Sequence, residues 1–176
     1  VIRSRFARIF TGIACVLGTV LAACTSTVSG SPSPAPVVPS SSSPDSSDVF
    51  AGLDACRLLD QLNAGQGFNP GENKSRRNQC TASKLDFATY SIALDATQGL
   101  REFAATNTGV REISVHARKA MEADISTGGC AVAVEVADRA LALVLVTMAR
   151  ASEDAQGCPN ARAFAEKLEP LLPPVS

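Results

Sequence analysis

The spacing of apolar residues changes character several times along this chain. From Ile9 to Leu21 they run almost without a break, interrupted only by Thr11, Gly12, Gly18 and Thr19. Residues 25–48 are almost wholly Ser, Pro, Thr, Ala and Val, with no helical or strand period. Beyond residue 49 true periodicities begin. Leu53, Cys56, Leu59 and Leu62 recur at threes, which predicts a helix over residues 50–63, with Asp54 placed to accept from the N–H of Cys56 or Arg57. Residues 65–79 are polar and Gly-rich, a loop. Residues 80–94 predict a strand in which Tyr90, Ile92 and Leu94 alternate but Leu85 and Phe87 fall on the other parity. That requires a bulge near Ala88 or cover on both faces at the start.

Leu100, Phe103 and Ala104 outline a short amphipathic helix ended by Gly109, and residues 111–115 a short strand with Ile113 and Val115 inward. After Gly128-Gly129 the alternation is clear. Cys130, Val132, Val134 and Val136 share one face, and Ala131, Ala133 and Glu135 the other. A turn at Asp138-Arg139 then leads to residues 140–148, apolar on both faces. This predicts an antiparallel hairpin with its second strand the more central. Gly157-Cys158-Pro159 opens a last helix, with Pro in the first turn where its missing N–H does no harm. Ala161, Phe164, Ala165 and Leu168 are its apolar stripe, and Leu171-Leu172-Pro173-Pro174 ends it. The order of elements predicts an α+β fold: an antiparallel sheet with helices on one face or at its ends.

The first apolar run is too short to span a bilayer, which takes about 20 residues. Arg3, Arg5 and Arg8 precede it, and no acidic residue occurs before Cys24. This is the layout of a secretory signal peptide. Its end, Leu21-Ala22-Ala23-Cys24, resembles a bacterial lipobox. Residues 1–23 are therefore expected to be removed by cleavage between Ala23 and Cys24, and Cys24 to carry diacylglycerol and palmitate. Several acyl chains on one residue meet the requirement for stable anchoring. The Ser/Pro-rich residues after Cys24, up to 48, cannot bury enough apolar surface to offset their ordering entropy and form a semi-extended spacer. Residues 49–176 form one domain. The expected location is the extracytoplasmic side of the cell membrane.

Composition sharpens this picture. Without Arg3, Arg5 and Arg8 the 16 basic residues become 13, against 17 acidic ones, a net charge of −4. Such a balance offers no bulk attraction to nucleic acid. The chain has no Trp and one Tyr, so the core rests on aliphatic residues. Of six Cys, Cys15 leaves with the signal peptide and Cys24 is acylated. Cys56, Cys80, Cys130 and Cys158 remain, an even number in an exported protein, which implies two disulfides. No pair has C-x2-4-C spacing and His116 is the lone His, so neither a metal site nor a cofactor is expected. Four Cys allow three connectivities. Cys80 and Cys130 each open a predicted strand, and Cys56 and Cys158 each sit near a helix start. The expected pairs are Cys56–Cys158 and Cys80–Cys130.

The framework around these cysteines resembles a family of actinobacterial lipoproteins of unknown function, the LprB/LprC-type mycobacterial lipoproteins among them. The resemblance rests on Asp54-x-Cys56-x-Leu58-Leu59, Cys80, Gly129-Cys130-x-Val132-x-Val134, Cys158-x-x-Ala161 and Leu171-Leu172-Pro173. It implies location and fold and carries no activity. Two features of the family pattern differ here: Ala82 stands where Trp is common, and residues 115–118 lack a usual glycine.

Candidate chemistry is sparse. His116 is the obvious candidate for a general base. There is no Gly-x-Ser-x-Gly elbow. Lys74, Arg76 and Arg77 are a basic cluster in a loop, Gly128-Gly129 is more simply a turn than a phosphate cradle, and Glu135 would discourage edge pairing. The expected function is non-enzymatic: an anchored module that binds an envelope protein or lipid ligand. The alternatives are a lipid or glycolipid carrier with an apolar cavity and a hydrolase using His116.

Overall fold

The computed structural model describes residues 49–126 and 128–175. The expected signal peptide, the Ala23–Cys24 cleavage and acylation site and the Ser/Pro spacer lie outside the described residues. The rest is an α+β fold, a six-stranded antiparallel sheet flanked by helices, as the order of elements predicted.

Helix α1 (Ala55–Asn63) starts where Asp54 Oδ1 accepts from Arg57 N at 2.8 Å, the expected cap, although the helix opens later than residue 50. Strands β1 (Gln79–Lys84) and β2 (Ala88–Asp95) then form a hairpin, not the single strand, bulged or covered on both faces, that was expected. Asp86 makes the turn at φ 56°, a left-handed conformation that Asp tolerates better than most residues. The chain reverses there, which accounts for the parity change and leaves Leu85 exposed at the tip.

From β2 the chain crosses the sheet through α2 (Leu100–Thr106) to the far edge. It returns as a meander of β3 (Arg111–Val115), β4 (Arg118–Asp124), β5 (Cys130–Ala137) and β6 (Ala140–Met148). The strand order is β1-β2-β6-β5-β4-β3, so β2 and β6, far apart in sequence, pair along their whole length from Ala88↔Met148 to Asp95↔Leu141. The predicted hairpin over 130–148 is present, with a register shift between Glu135 and Ala137. Glu135 does not guard an edge, because β5 is an interior strand flanked by β4 and β6. Strand β4 escapes the hydrophobic pattern because two of its inward positions are Arg118 and Glu122.

Helices α1 and α3 (Gly157–Leu168) cover one face of the sheet. Between them and the strands lies the main core, including Leu59, Ile92, Val132, Val144, Val146 and Leu168, all essentially inaccessible. Tyr90 of β2 meets Phe164 of α3 edge-on at 5.0 Å and Phe68 at 4.9 Å, so the few aromatics concentrate where the two helices adjoin. That interval, where a lipid cavity was one expectation, is filled with side chains. Gly129, at φ 139°, immediately precedes β5, where a Cβ would lie 2.5 Å from the Val146 carbonyl oxygen, so no larger residue fits beside β6.

The disulfides are Cys56–Cys80 and Cys130–Cys158. The expected nested pairing is wrong, and the strand order explains it. Cys80 in β1 and Cys130 in β5 are separated by β2 and β6, so their strands lie about 14 Å apart at ordinary strand spacing, beyond a disulfide's reach. Each disulfide instead clips the second residue of a helix, Cys56 in α1 or Cys158 in α3, to the start of the strand beneath it. Loops of 24 and 28 residues correspond to about 3.5 kcal/mol of chain-entropy stabilisation each. Non-reducing peptide mapping is expected to recover these two pairs. The double substitution Cys130→Ser/Cys158→Ser is expected to lower stability by about that amount in a denaturant titration. A peptide linking Cys56 to Cys158 would refute the assignment.

Candidate functional site

His116 sits in the tight turn between β3 and β4 with φ 49°, the backbone conformation that favours glycine. It stands within the stretch where the resemblance expects a glycine. Its Nδ1 is 3.1 Å from Glu169 Oε2, and Glu169 Oε1 accepts from Arg118 Nε at 2.6 Å. Arg118 is buried and also donates from Nη2 to the Pro173 carbonyl at 2.6 Å. The group ties the segment after α3 to the sheet. Glu169 is held below the usual carboxylate range, first by the hydrogen bond from Arg118 and against the opposing effect of burial. His116 thus lies in hydrogen-bond contact with Glu169, beside the Arg118–Glu169 ion pair.

A second ionic group joins α3 to β3 and β4 through side chains. Glu122 points into the core and is fully buried. Its Oε1 accepts from Arg111 Nη2 at 2.8 Å and from Arg162 Nη2 at 2.7 Å, and its Oε2 from Arg162 Nε. Arg111 also reaches Asp124 at 3.2 Å. Glu122 is held below the usual carboxylate range, chiefly by the hydrogen bond from Arg162. The potential donor atoms of Glu122, Cys130 and Cys158 all lie within 4.8 Å of one another, a spacing that suits a metal ion. In the oxidised protein both sulfurs are consumed by the disulfide and both Glu122 oxygens by guanidinium groups, so these donors are not available to one.

The opposite face of the sheet is different in kind. Helix α2 has seven residues, so it is about 10 Å long, whereas six strands span about 24 Å. Leu100 and Phe103 therefore cover β4, β5 and the start of β6, over Ala123, Ala131, Ala133 and Leu141. Leu143 and Leu145 on β6 stay half-buried, and Thr81 and Ser83 on β1 are exposed. Thr81 and Ser83 hydrogen-bond across the hairpin to Ser91 and Thr89, both at 2.9 Å, forming a hydroxyl patch beside the leucine row. Between this patch and α2 runs a groove of about 530 Å³, floored by Ala93, Leu141 and Leu143 and walled by Phe103.

The basic loop flagged in the sequence borders this groove through Arg77. It is not a free loop. Asn73 accepts from Ser75 N at 2.9 Å and donates to the Arg77 carbonyl at 2.8 Å, while Asn78 is bound to the Leu53 carbonyl and the Ala55 N–H of the α1 entrance. Lys74 pairs with Glu72 at 3.1 Å. No carboxylate lies within ion-pair distance of Arg76 or Arg77 among the described residues. Gly128 and Gly129 form the turn before β5, where Gly128 N donates to the Ile125 carbonyl. No helix among the described residues is long and apolar enough to cross a membrane.

Residues 19–171 match a family described as a protein of unknown function, DUF3558. The chain belongs to this family. No curated protein and no solved structure matches it. The DUF3558 match takes in all six strands and both disulfides. Membership therefore attaches to the whole fold, and no catalytic role comes with it.

The Glu122 group gives a test of what holds α3 to the sheet. A carboxylate whose native pKa is depressed adds stability above its unfolded pKa, about 4.3, and that stability is lost as pH falls through the native value. Glu122→Gln is expected to destabilise the protein by about 2 kcal/mol at pH 7, less than for a fully buried pair because Arg111 and Arg162 remain half exposed. The deficit relative to the parent should shrink below pH 4 in thermal melts. A constant deficit from pH 7 to pH 3 would show that the charge is irrelevant.

Proposed function

We propose that this chain is an LprB/LprC-type, exported, non-enzymatic envelope lipoprotein. In this reading it is cleaved between Ala23 and Cys24, anchored through acylated Cys24 and held off the membrane by the Ser/Pro-rich spacer. Its domain then binds an envelope protein or lipid ligand through the α2-side face of the sheet. The single observation that supports binding at this face is its incomplete cover. Helices α1 and α3 seal one face of the sheet, whereas α2 leaves Leu143 and Leu145 of the other half-buried beside a groove. Half-exposed leucines on an interior strand, bordered by hydroxyl and basic side chains, are what a recognition surface requires: an apolar centre with a polar rim. The anchor rests on the charge, length and small-residue ending of residues 3–24, and the family match, which starts at residue 19, includes that ending.

Two experiments separate the parts of this reading. Metabolic labelling with an alkyne palmitate analogue is expected to mark the parent chain in the membrane fraction. Cys24→Ala should lose the label and the membrane association together, and a labelled Cys24→Ala chain would rule out this anchor. Independently, a photo-crosslinking amino acid at Ser91, on the open face, is expected to yield adducts in intact cells. The same group at Glu166, on the exposed side of α3, should not. Equal yields from both positions, or none from Ser91, would remove the open face as the binding surface.

A further inference from the structure

We infer that the groove between β2, β6 and α2 binds an anionic amphiphile, its acidic head at Arg77 and its hydrocarbon chain along Ala93 and Leu143. This deepens the reading of the open face as the binding surface and rests on it. Three observations point to such a ligand over a peptide or a free anion.

The first is what the groove lacks. It lies over β2 and β6, interior strands whose backbone groups are already paired with each other. The free side of β1 is itself covered, since Glu72 N donates to the Thr81 carbonyl and Thr81 N to the Glu72 carbonyl. An extended peptide laid here would find no strand edge to satisfy its own N–H and C=O groups. A hydrocarbon chain has no such need. The second is the floor. Leu141, Leu143 and Ala93 give an apolar surface facing Phe103, and about 530 Å³ falls within the size of small-molecule sites.

The third observation is the placed charge. Arg77 lies at the groove margin with its backbone fixed on both sides. Its carbonyl accepts from Asn73 Nδ2 at 2.8 Å and from Gln79 N at 2.9 Å, and its N–H donates to Ser75 Oγ at 3.0 Å. Its guanidinium has no carboxylate partner among the described residues, and that group presents a planar fork suited to carboxylate or phosphate. Asp95 also borders the groove, but its Oδ1 already accepts from Thr97 N, Thr97 Oγ1 and Gln98 N. The arrangement is one guanidinium without a carboxylate partner among the described residues, at the margin of a groove with an apolar floor; the Asp95 carboxylate keeps its charge but is held in its own turn by those three donors.

The test uses the full chain carrying Cys24→Ser, so that no acyl group of its own competes. Calorimetric titration is run below micelle-forming concentrations with oleate, 1-oleoyl-lysophosphatidate and oleyl alcohol. At least one of the two anionic probes is expected to bind at one per chain and at least tenfold tighter than oleyl alcohol. The tighter of the two then identifies the head as carboxylate or phosphate. Arg77→Ala should weaken that probe about tenfold, Arg77→Lys should restore part of the loss, and Leu143→Ser should weaken all three probes. Arg77 is exposed, so its substitution tests the idea even if Leu143→Ser fails to fold. Binding of oleyl alcohol as tight as that of the anions, or anion binding unchanged by Arg77→Ala, would overturn the proposal. If neither anion binds while crosslinks from Ser91 persist, the amphiphile is wrong and the open-face reading stands. If both are absent, both fall.

Discussion

The pairing of β2 with β6 is the constraint on which the rest of the domain depends. It joins α1 and the β1–β2 hairpin to the meander that runs from β3 to β6 and carries α3. Neither disulfide crosses this seam: Cys56–Cys80 lies wholly on one side and Cys130–Cys158 on the other. What closes it is a continuous ladder, the alternate burial of Ile92 and Leu94 against Val144 and Ala142, and the meeting of Tyr90 with Phe164 above. The covalent links stiffen two halves, and noncovalent packing makes them one domain. Opposed strands far apart in sequence carry a large loop-closure cost, which cross-links within each half do little to relieve.

Much of this was legible in the sequence wherever side chains obey the burial rule. The hairpin over 130–148 and the stripe of α3 follow from alternation and from spacing at threes and fours, because both elements bury aliphatic residues. Asp54 announced α1, since a capping carboxylate acts locally. Strand β4 was hidden because Arg118 and Glu122 occupy inward positions, each bonded to a partner about 40 to 55 residues away in sequence. No local pattern contains those partners. The turn at Asp86 was missed because it uses neither Gly nor Pro, and with it the division of β1 from β2.

The disulfides and the open face of the sheet share one reason for being hard to read: both depend on strand order, which periodicity does not specify. Treating Cys80 and Cys130 as neighbours assumed that strands opening alike lie together, whereas two strands intervene. The run 140–148 reads as buried on both sides, and it nearly is. The half-exposure of Leu143 and Leu145 arises only because the crossing through α2 is too short to cover them. The basic residues at 74–77 were visible, but not that Asn73 and Asn78 hold the segment so that Arg77 borders the same groove as Leu143.

Consecutive, un-nested disulfides also bear on how such a chain can mature. If it reaches an oxidising compartment N-terminus first, Cys80 emerges while Cys130 is still withheld, and its only available partner in the domain is Cys56, the native one. The later pair then finds itself alone in turn. Oxidation in order of arrival thus leads directly to the native connectivity, and reshuffling by an isomerase is needed only if the chain is oxidised all at once.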